Sequence, residues 1–321
     1  MTIDITTRQH DLLTLCALRA GNACVDWSLI ARNAVGPDGL ADLLDGRLRE
    51  DSRAASKNRP VLQRALSEGL DSARARVDDE LTAAEKVGAR LVTVLDEDYP
   101  ANLRLIGNLP PFLFYRGELD RRDARSIAVV GTRTATEDGL RRAARMAREL
   151  IDHDVVIASG LAKGIDAAAH QATLDAGGRT FAVMGTGIAA PVYPAENRPL
   201  AKAILAADGA LLSQFWPTSG PAKYTFPRRN VVTSGTTLGS VVIEASHTSG
   251  AKMQARIAAE HGKLVFLIKS LADTQGWAAA MLADNRAILV TRSSDITERL
   301  SRAADVQRAG QQRQQLVLAG L

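Results

Sequence analysis

The chain has 321 residues, with 40 Lys and Arg against 36 Asp and Glu, a formal charge of +4 and a sequence pI of about 9.2. The apolar fraction of 46% is ordinary and aromatics, at 4%, are scarce, which favours a helix-rich or α/β protein with small side chains at its helix contacts over a β-sandwich. The basic balance, carried mainly by arginine, permits a nucleic-acid or phosphate ligand without requiring one.

Residues 1 to 30 lack the basic start, long apolar stretch and small-residue cleavage site of a secretory leader, and no apolar run approaches membrane-spanning length, so a cytoplasmic location is expected. Residues 8 to 45 carry apolar side chains at helical spacing, broken at Gly21, Gly36, Pro37 and Gly39, which predicts short helices. Cys16 and Cys24 fall in this region. On a helix they would stand two turns apart, too far to bridge, and they read as buried free thiols of a reducing compartment. Residues 46 to 86 are densely charged and read as exposed helices or a partly mobile connector, with a domain boundary set near residue 75.

From residue 90 the rhythm changes to short apolar runs: RLVTVL (90–95), SIAVVG (126–131), DVVIASG (154–160), RTFAVMG (179–185), ALLSQF (210–215), SVVIEA (240–245), KLVFLI (263–268) and AILVT (287–291). These runs lack strict alternation, as expected of strands covered on both faces, and helical segments between them supply crossovers. The fold class is therefore α/β: an extended Rossmann-like, mostly parallel sheet with helices on both faces, plus a small N-terminal helical domain. The expected division is 1–75 helical, 76–300 Rossmann-like, and 301–321 a polar C-terminal tail. No internal repeat is visible.

Ligands of such sheets bind at the carboxyl ends of the strands, so function is sought in the loops that follow them. Gly131-Thr132-Arg133 leaves one strand with a guanidinium suited to bidentate phosphate contact. SGLAKGID offers Ser159, backbone donors from Gly160 to Gly164, and Lys163 as a point charge. MGTGIAAPVYP (184–194) brings Gly185, Thr186 and Gly187, whose glycines allow close backbone approach. TFPRRNVV (225–232) sets Arg228, Arg229 and Asn230 beside Phe226, which is read either as core or as a base-stacking ring.

Four further residues are read as supporting. Asp166 favours the first turn of its helix and, because a carboxylate repels phosphate, orients Lys163 or backbone rather than touching a ligand. His170 lies on the same helix face and reads as packed and hydrogen-bonded rather than as a base. Glu244 ends an apolar strand and is placed to tie loops together by accepting backbone hydrogen bonds, and Ser249-Gly250 precede a helix. No GxxxxGK[ST] loop, third glycine of a GxGxxG fingerprint, HExxH, CxxC or GxSxG is present, so no catalytic residue, metal or cofactor is assigned. The loops look built to bind.

Taken in order, these stretches resemble the DNA-processing protein A family (DprA, also called Smf). The resemblance is carried by YP and PPFLFYRG (99–117), IAVVGTR (127–133), SGLAKGIDAAAH (159–170), GTGIAAPVYP (185–194), LLSQF (211–215), FPRRN (226–230) and VVIEASHTSGAKMQA with the following GKLVF (241–266). It implies a Rossmann-like domain that binds single-stranded DNA, protects it and helps load the RecA recombinase during DNA uptake, in members that typically form homodimers. The family's basic pocket carries over onto Arg133, Lys163, Arg228, Arg229 and Asn230, and the N-terminal region is loosely similar to its small SAM-like helical domain. Departures from the family pattern are Val231 for the last arginine of FPxRNR, Ser213-Gln214 for SE, Ala189-Ala190 after the GxG turn, SGAKMQA for SGSLxTA, and Lys269-Ser270 for Pro-Gly; no winged-helix module is read after residue 300. A divergent member serving defence or another DNA-processing pathway fits these departures. The competing readings are a nucleotide phosphoribohydrolase similar to the LOG-like proteins, with Glu244 as its carboxylate, and a nucleotide-sensing regulator.

Overall fold

The computed structural model describes residues 3–318. Three short helices, α1 (Thr7–Ala17), α2 (Trp27–Ala34) and α3 (Gly39–Leu44), open the chain. A capping box between Thr6 and Gln9 starts α1, and the Asp26 side chain caps α2 by accepting from Ser28 N. Cys16 is buried as expected, but Cys24 is exposed, because the chain leaves the helix through a tight turn closed by Ala20 and Ala23.

The charged stretch that follows is one unbroken helix, α4 (Arg53–Glu85), so residue 75 lies inside a helix and not at a boundary. Apart from the buried Glu80 its charges lie on the outer face, while Leu62, Ala65, Ala73, Val77, Leu81 and Ala84 form a buried stripe. The N-terminal helices share one core with the sheet. Trp27 of α2 sits 5.0 Å, centroid to centroid, from Phe112 and 5.9 Å from Trp216. The buried Glu80 carboxylate accepts Thr218 N at 2.9 Å and Thr218 Oγ1 at 2.8 Å.

The remainder alternates strand and helix. In chain order the elements are β1 (Arg90–Thr93), β2 (Phe112–Gly117), β3 (Ser126–Val130), α5 (Glu137–Ile151), β4 (Val156–Ser159), α6 (Ile165–Asp175), β5 (Thr180–Val183), α7 (Arg198–Ala206), β6 (Ala210–Ser213) and α8 (Thr225–Thr236). They continue with β7 (Gly239–Val242), α9 (Gly250–Glu260), β8 (Leu264–Ile268), α10 (Lys269–Thr274), α11 (Gly276–Ala283), β9 (Ile288–Val290), α12 (Ser294–Thr297) and α13 (Ala303–Leu318). The sheet order is β1-β2-β6-β5-β4-β3-β7-β8-β9. The strands from β6 to β9 in that order run parallel, and β2 pairs antiparallel with both β1 and β6.

Each apolar run named above forms a strand, and β2 is one that the sequence reading did not include. Crossovers from β3 proceed outward through β4, β5 and β6, whereas β7, β8 and β9 lie on its other side. The loops after β3 and β7 therefore diverge, and the sheet opens a crevice there, where doubly wound folds bind ligands. The segment expected as a polar tail is helical as α13. Its Val306 is buried, and Gln307 Nε2 donates to Arg121 O at 3.1 Å. Among the described residues no helix is long and apolar enough to cross a membrane.

Candidate nucleic-acid interface

The loop after β3 is stitched to its neighbours by backbone. Thr132 N donates to Glu244 O at 2.7 Å and Ile165 N to Thr132 O at 3.3 Å. A Cβ on Gly131 would fall 2.3 Å from Ile165 Cγ1, so only glycine lets these loops close on one another. Arg133 then projects into solvent with its guanidinium carbon 5.1 Å from the centroid of Phe226.

After β4, the Asp166 carboxylate accepts Gly160 N at 3.1 Å and Ala162 N at 3.4 Å and so fixes the loop. Gly164 takes φ +76, where a Cβ would meet Thr132 O at 2.4 Å. Lys163 is exposed and pairs not with Asp166 but with Glu196, on the turn between β5 and α7. Asn197 Nδ2 anchors that turn to Leu161 O at 2.8 Å.

The two arginines of FPRRN diverge. Arg229 turns inward; its side chain is 10% exposed and its Nη1 lies 3.8 Å from Asp166 Oδ2. A Cβ on Gly160 would sit 1.0 Å from that nitrogen, so the guanidinium lies across the glycine. Burial pushes the Asp166 carboxyl up and the Arg229 guanidinium down, each opposed by the other's charge. Arg228 is exposed, stacks over Tyr224 at 5.7 Å, and lines none of the clefts described here. Phe226 is half-buried rather than core. Its ring covers Gly185, where a Cβ would approach to 3.0 Å, and lies 5.7 Å from the exposed ring of Tyr193.

Two clefts result. A crevice of about 300 Å³ at the divergence of β3 and β7 is walled by Arg133, Arg229, Asn230 and the loop entering α9. A smaller one of about 110 Å³ is lined by Lys163, Gly185, Tyr193 and Pro194. Arg133, Ala162, Phe226 and Arg229 line both, so the two are contiguous. Thr132 and Asn230 border the crevice, and Asn230 Nδ2 reaches Gly250 O at 3.5 Å.

Other residues read as binding are spent inside. Ser159 is fully buried and donates to Val129 O at 2.6 Å. Thr186 is 1% exposed, its carbonyl accepting Ser213 Oγ at 2.7 Å. Gly187 is buried against the Trp216 and Pro217 carbonyls, where a Cβ would come within 2.1 Å. These three shape the loops and offer no surface to a strand, which corrects their reading as contacts.

The supporting residues have structural partners. His170 is buried; its Nδ1 lies 2.7 Å from Thr180 Oγ1, and that hydroxyl donates to Ile157 O at 2.7 Å, so Nδ1 carries the proton. Burial, reinforced by Arg229, lowers its pKa to about 3 and keeps the ring neutral. Glu244 caps the start of α5, accepting Thr136 Oγ1 at 2.9 Å and Thr136 N at 3.2 Å. Ser249 Oγ caps α9 by accepting Ala251 N at 3.1 Å. Sequence reasoning did not single out Tyr193, Tyr224 or Glu196. Tyr193 stands in the quoted glycine-loop stretch and was within reach; nothing in the sequence marks Glu196 as the partner of Lys163.

Residues 90–301 match the model of the family described as DNA recombination-mediator protein A. The chain is 37% identical over 222 residues to the DNA processing protein DprA of Streptococcus pneumoniae, covering 69% of this chain and 78% of that protein. It is 35% identical over 232 residues to protein Smf of Escherichia coli, covering 72% of this chain and 62% of that protein. The crystal structure of the S. pneumoniae protein superposes with a TM-score of 0.72 at 29% identity, over 93% of this chain and 99% of the other. A structure of DNA processing protein A from Helicobacter pylori shares the fold at a TM-score of 0.57 and 23% identity, over 65% of this chain and 94% of that one. With its family motifs running in order through a sheet of the same architecture, the chain belongs to the DNA recombination-mediator protein A family.

Proposed function

We propose that the chain binds single-stranded DNA without strong sequence preference, along the rim formed by the loops after β3, β4 and β5 and the start of α8, as a DprA-type protein of DNA processing. The observation that carries this reading is the convergence of Arg133, Lys163 and Arg229, from separate crossovers, around the half-exposed ring of Phe226. Cations spaced along a groove meet phosphates, while Phe226 and Tyr193 offer faces to bases. The structure of the related H. pylori protein is reported for its single-stranded DNA binding mode, which supports the same ligand class here.

The finer reading is that the chain protects the strand as a homodimer and hands it to a RecA-type recombinase, in DNA uptake or a related defence pathway. The clefts are short, so joining two copies raises avidity through effective concentration. A dimer-breaking variant that keeps full affinity for long strands would end that part of the reading. A hydrolytic role is less well supported, because the Glu244 carboxylate already receives the Thr136 amide and hydroxyl.

Arg133→Ala and Lys163→Ala are expected to weaken binding across all sequences. Each should flatten the slope of log affinity against log salt by about 0.7, the share of one cation on a single strand. Lys163→Ala should have the smaller effect, because Glu196 already partly neutralises the lysine. Fluorescence anisotropy with short strands at several salt concentrations reads both quantities, and unchanged affinity in both variants would reject the site.

A further inference from the structure

The crevice between β3 and β7 contains more positive character than a simple track for phosphodiesters requires. Its wall includes the loop Ser246–Gly250 that opens α9, an 11-residue helix whose N-terminal amides and dipole favour an anion. Facing this, the Arg229 guanidinium is nine-tenths buried, lines the crevice, and leaves Nε without a hydrogen-bond partner. Its contact with Asp166 is a 3.8 Å ion pair rather than a two-pronged bond. Arg133 stands at the mouth, the Asp166 carboxylate shares the wall with Arg229, and the floor is closed by the buried Val130, Ala251 and Gln254.

A buried guanidinium balanced only by a 3.8 Å ion pair is incompletely compensated, and an anion entering the crevice beside it would offset its charge. A phosphodiester carries one negative charge. A phosphomonoester carries about −1.5 to −2 at neutral pH and presents three strong acceptor oxygens. Two guanidinium groups and a helix N-terminus, set against the one carboxylate of Asp166 and closed at the bottom, leave a surplus of more than one positive charge and so match the second better than the first. We propose that this crevice is a phosphomonoester site: it holds the terminal phosphate of a strand, or the phosphate of a mononucleotide, while the rest of the strand runs out over Phe226 toward Lys163. The inference rests on the single-strand reading above and assigns this end of the site to a chain terminus.

The test compares labelled strands of about six nucleotides, near the lower end of site sizes for single-strand grooves, ending in a 5′-phosphate, a 3′-phosphate or hydroxyls only. Deoxythymidine monophosphate and inorganic phosphate serve as competitors. One phosphorylated end should bind about tenfold more tightly than the hydroxyl-ended strand, the worth of about one charge-assisted hydrogen bond. The monophosphate should compete where the nucleoside does not. Arg229→Gln should weaken every strand and abolish the preference for the phosphorylated end, whereas Lys163→Ala, which lies outside the crevice, should weaken every strand and keep that preference. Equal affinity for all three ends in the wild-type protein overturns the proposal while leaving strand binding intact, and it requires no variant to fold. Failure of every strand to bind would instead sink the underlying reading.

Discussion

Asp166→Asn should be among the most destabilising single substitutions at this site, costing about 3–5 kcal/mol, the usual penalty for removing one partner of a buried ion pair. Asp166 is 4% exposed and Arg229 8% exposed, so neither can turn to water without opening the crevice. Burial raises the Asp166 carboxyl, but two backbone amides and the guanidinium oppose that shift and favour the charged form. An asparagine oxygen can still accept from Gly160 or Ala162. It cannot neutralise Arg229, whose Nε is already unpartnered and whose guanidinium remains charged at any relevant pH. The cost therefore comes from the arginine left behind rather than from the lost amide bonds. Combining Asp166→Asn with Arg229→Met removes the stranded charge, and the double variant should be more stable than Asp166→Asn alone. Denaturant midpoints of the wild type, both single variants and the double variant measure the coupling. A midpoint for Asp166→Asn equal to the wild type would show that the pair is not a charged unit.

Much of this geometry was legible in the sequence, and the failures have physical reasons. Parallel strands covered on both faces leave continuous apolar runs, so β3 to β9 announce themselves. The strand β2 does not announce itself as easily. It enters after Pro110-Pro111, closes on the polar Arg116 and then Gly117, and its reversed direction is encoded in no local feature. The helix α4 was obscured because its charge density describes only the solvated face, while the stripe from Leu62 to Ala84 does the packing. At the site, a basic residue in a loop after a strand is easy to recognise, which brought Arg133 and Lys163 forward. Hydroxyls at strand ends are harder. Ser159 would look the same whether it faced a ligand or, as here, donated to Val129 O. Arg228 and Arg229 are neighbours in sequence, but a helix separates adjacent side chains by about 100°, which turns one to solvent and the other into the fold. Lys163 and Glu196 meet only because the β5–α7 turn folds back over α6, a contact with no local signature.

That burial also gives the protein an acid-sensitive core. His170 is held neutral with a folded-state pKa of about 3, first by burial and then by Arg229, whereas an unfolded histidine titrates near about 6.5. Above that higher value both states carry the neutral ring, and His170 adds no pH dependence. Between the two values the unfolded chain binds a proton that the folded chain refuses, so stability should fall by about 1.4 kcal/mol for each pH unit of acidification. From neutrality down to pH about 4.5 the loss approaches about 3 kcal/mol, a large part of a typical domain's stability. His261, lowered chiefly by burial, pushes in the same direction. Asp166, whose carboxyl is raised in the fold, works against it, because the folded state takes up that proton more readily as the solution becomes acidic. The comparison that isolates His170 is with His170→Gln, which keeps an amide N–H for Thr180 Oγ1 and has no titration of its own. Denaturant unfolding of both proteins between pH 7 and 4 should give diverging curves, the variant losing less stability by about one proton's worth per pH unit. Parallel curves would mean that the folded protein admits the proton after all, and the buried, neutral ring beneath Arg229 would have to be abandoned.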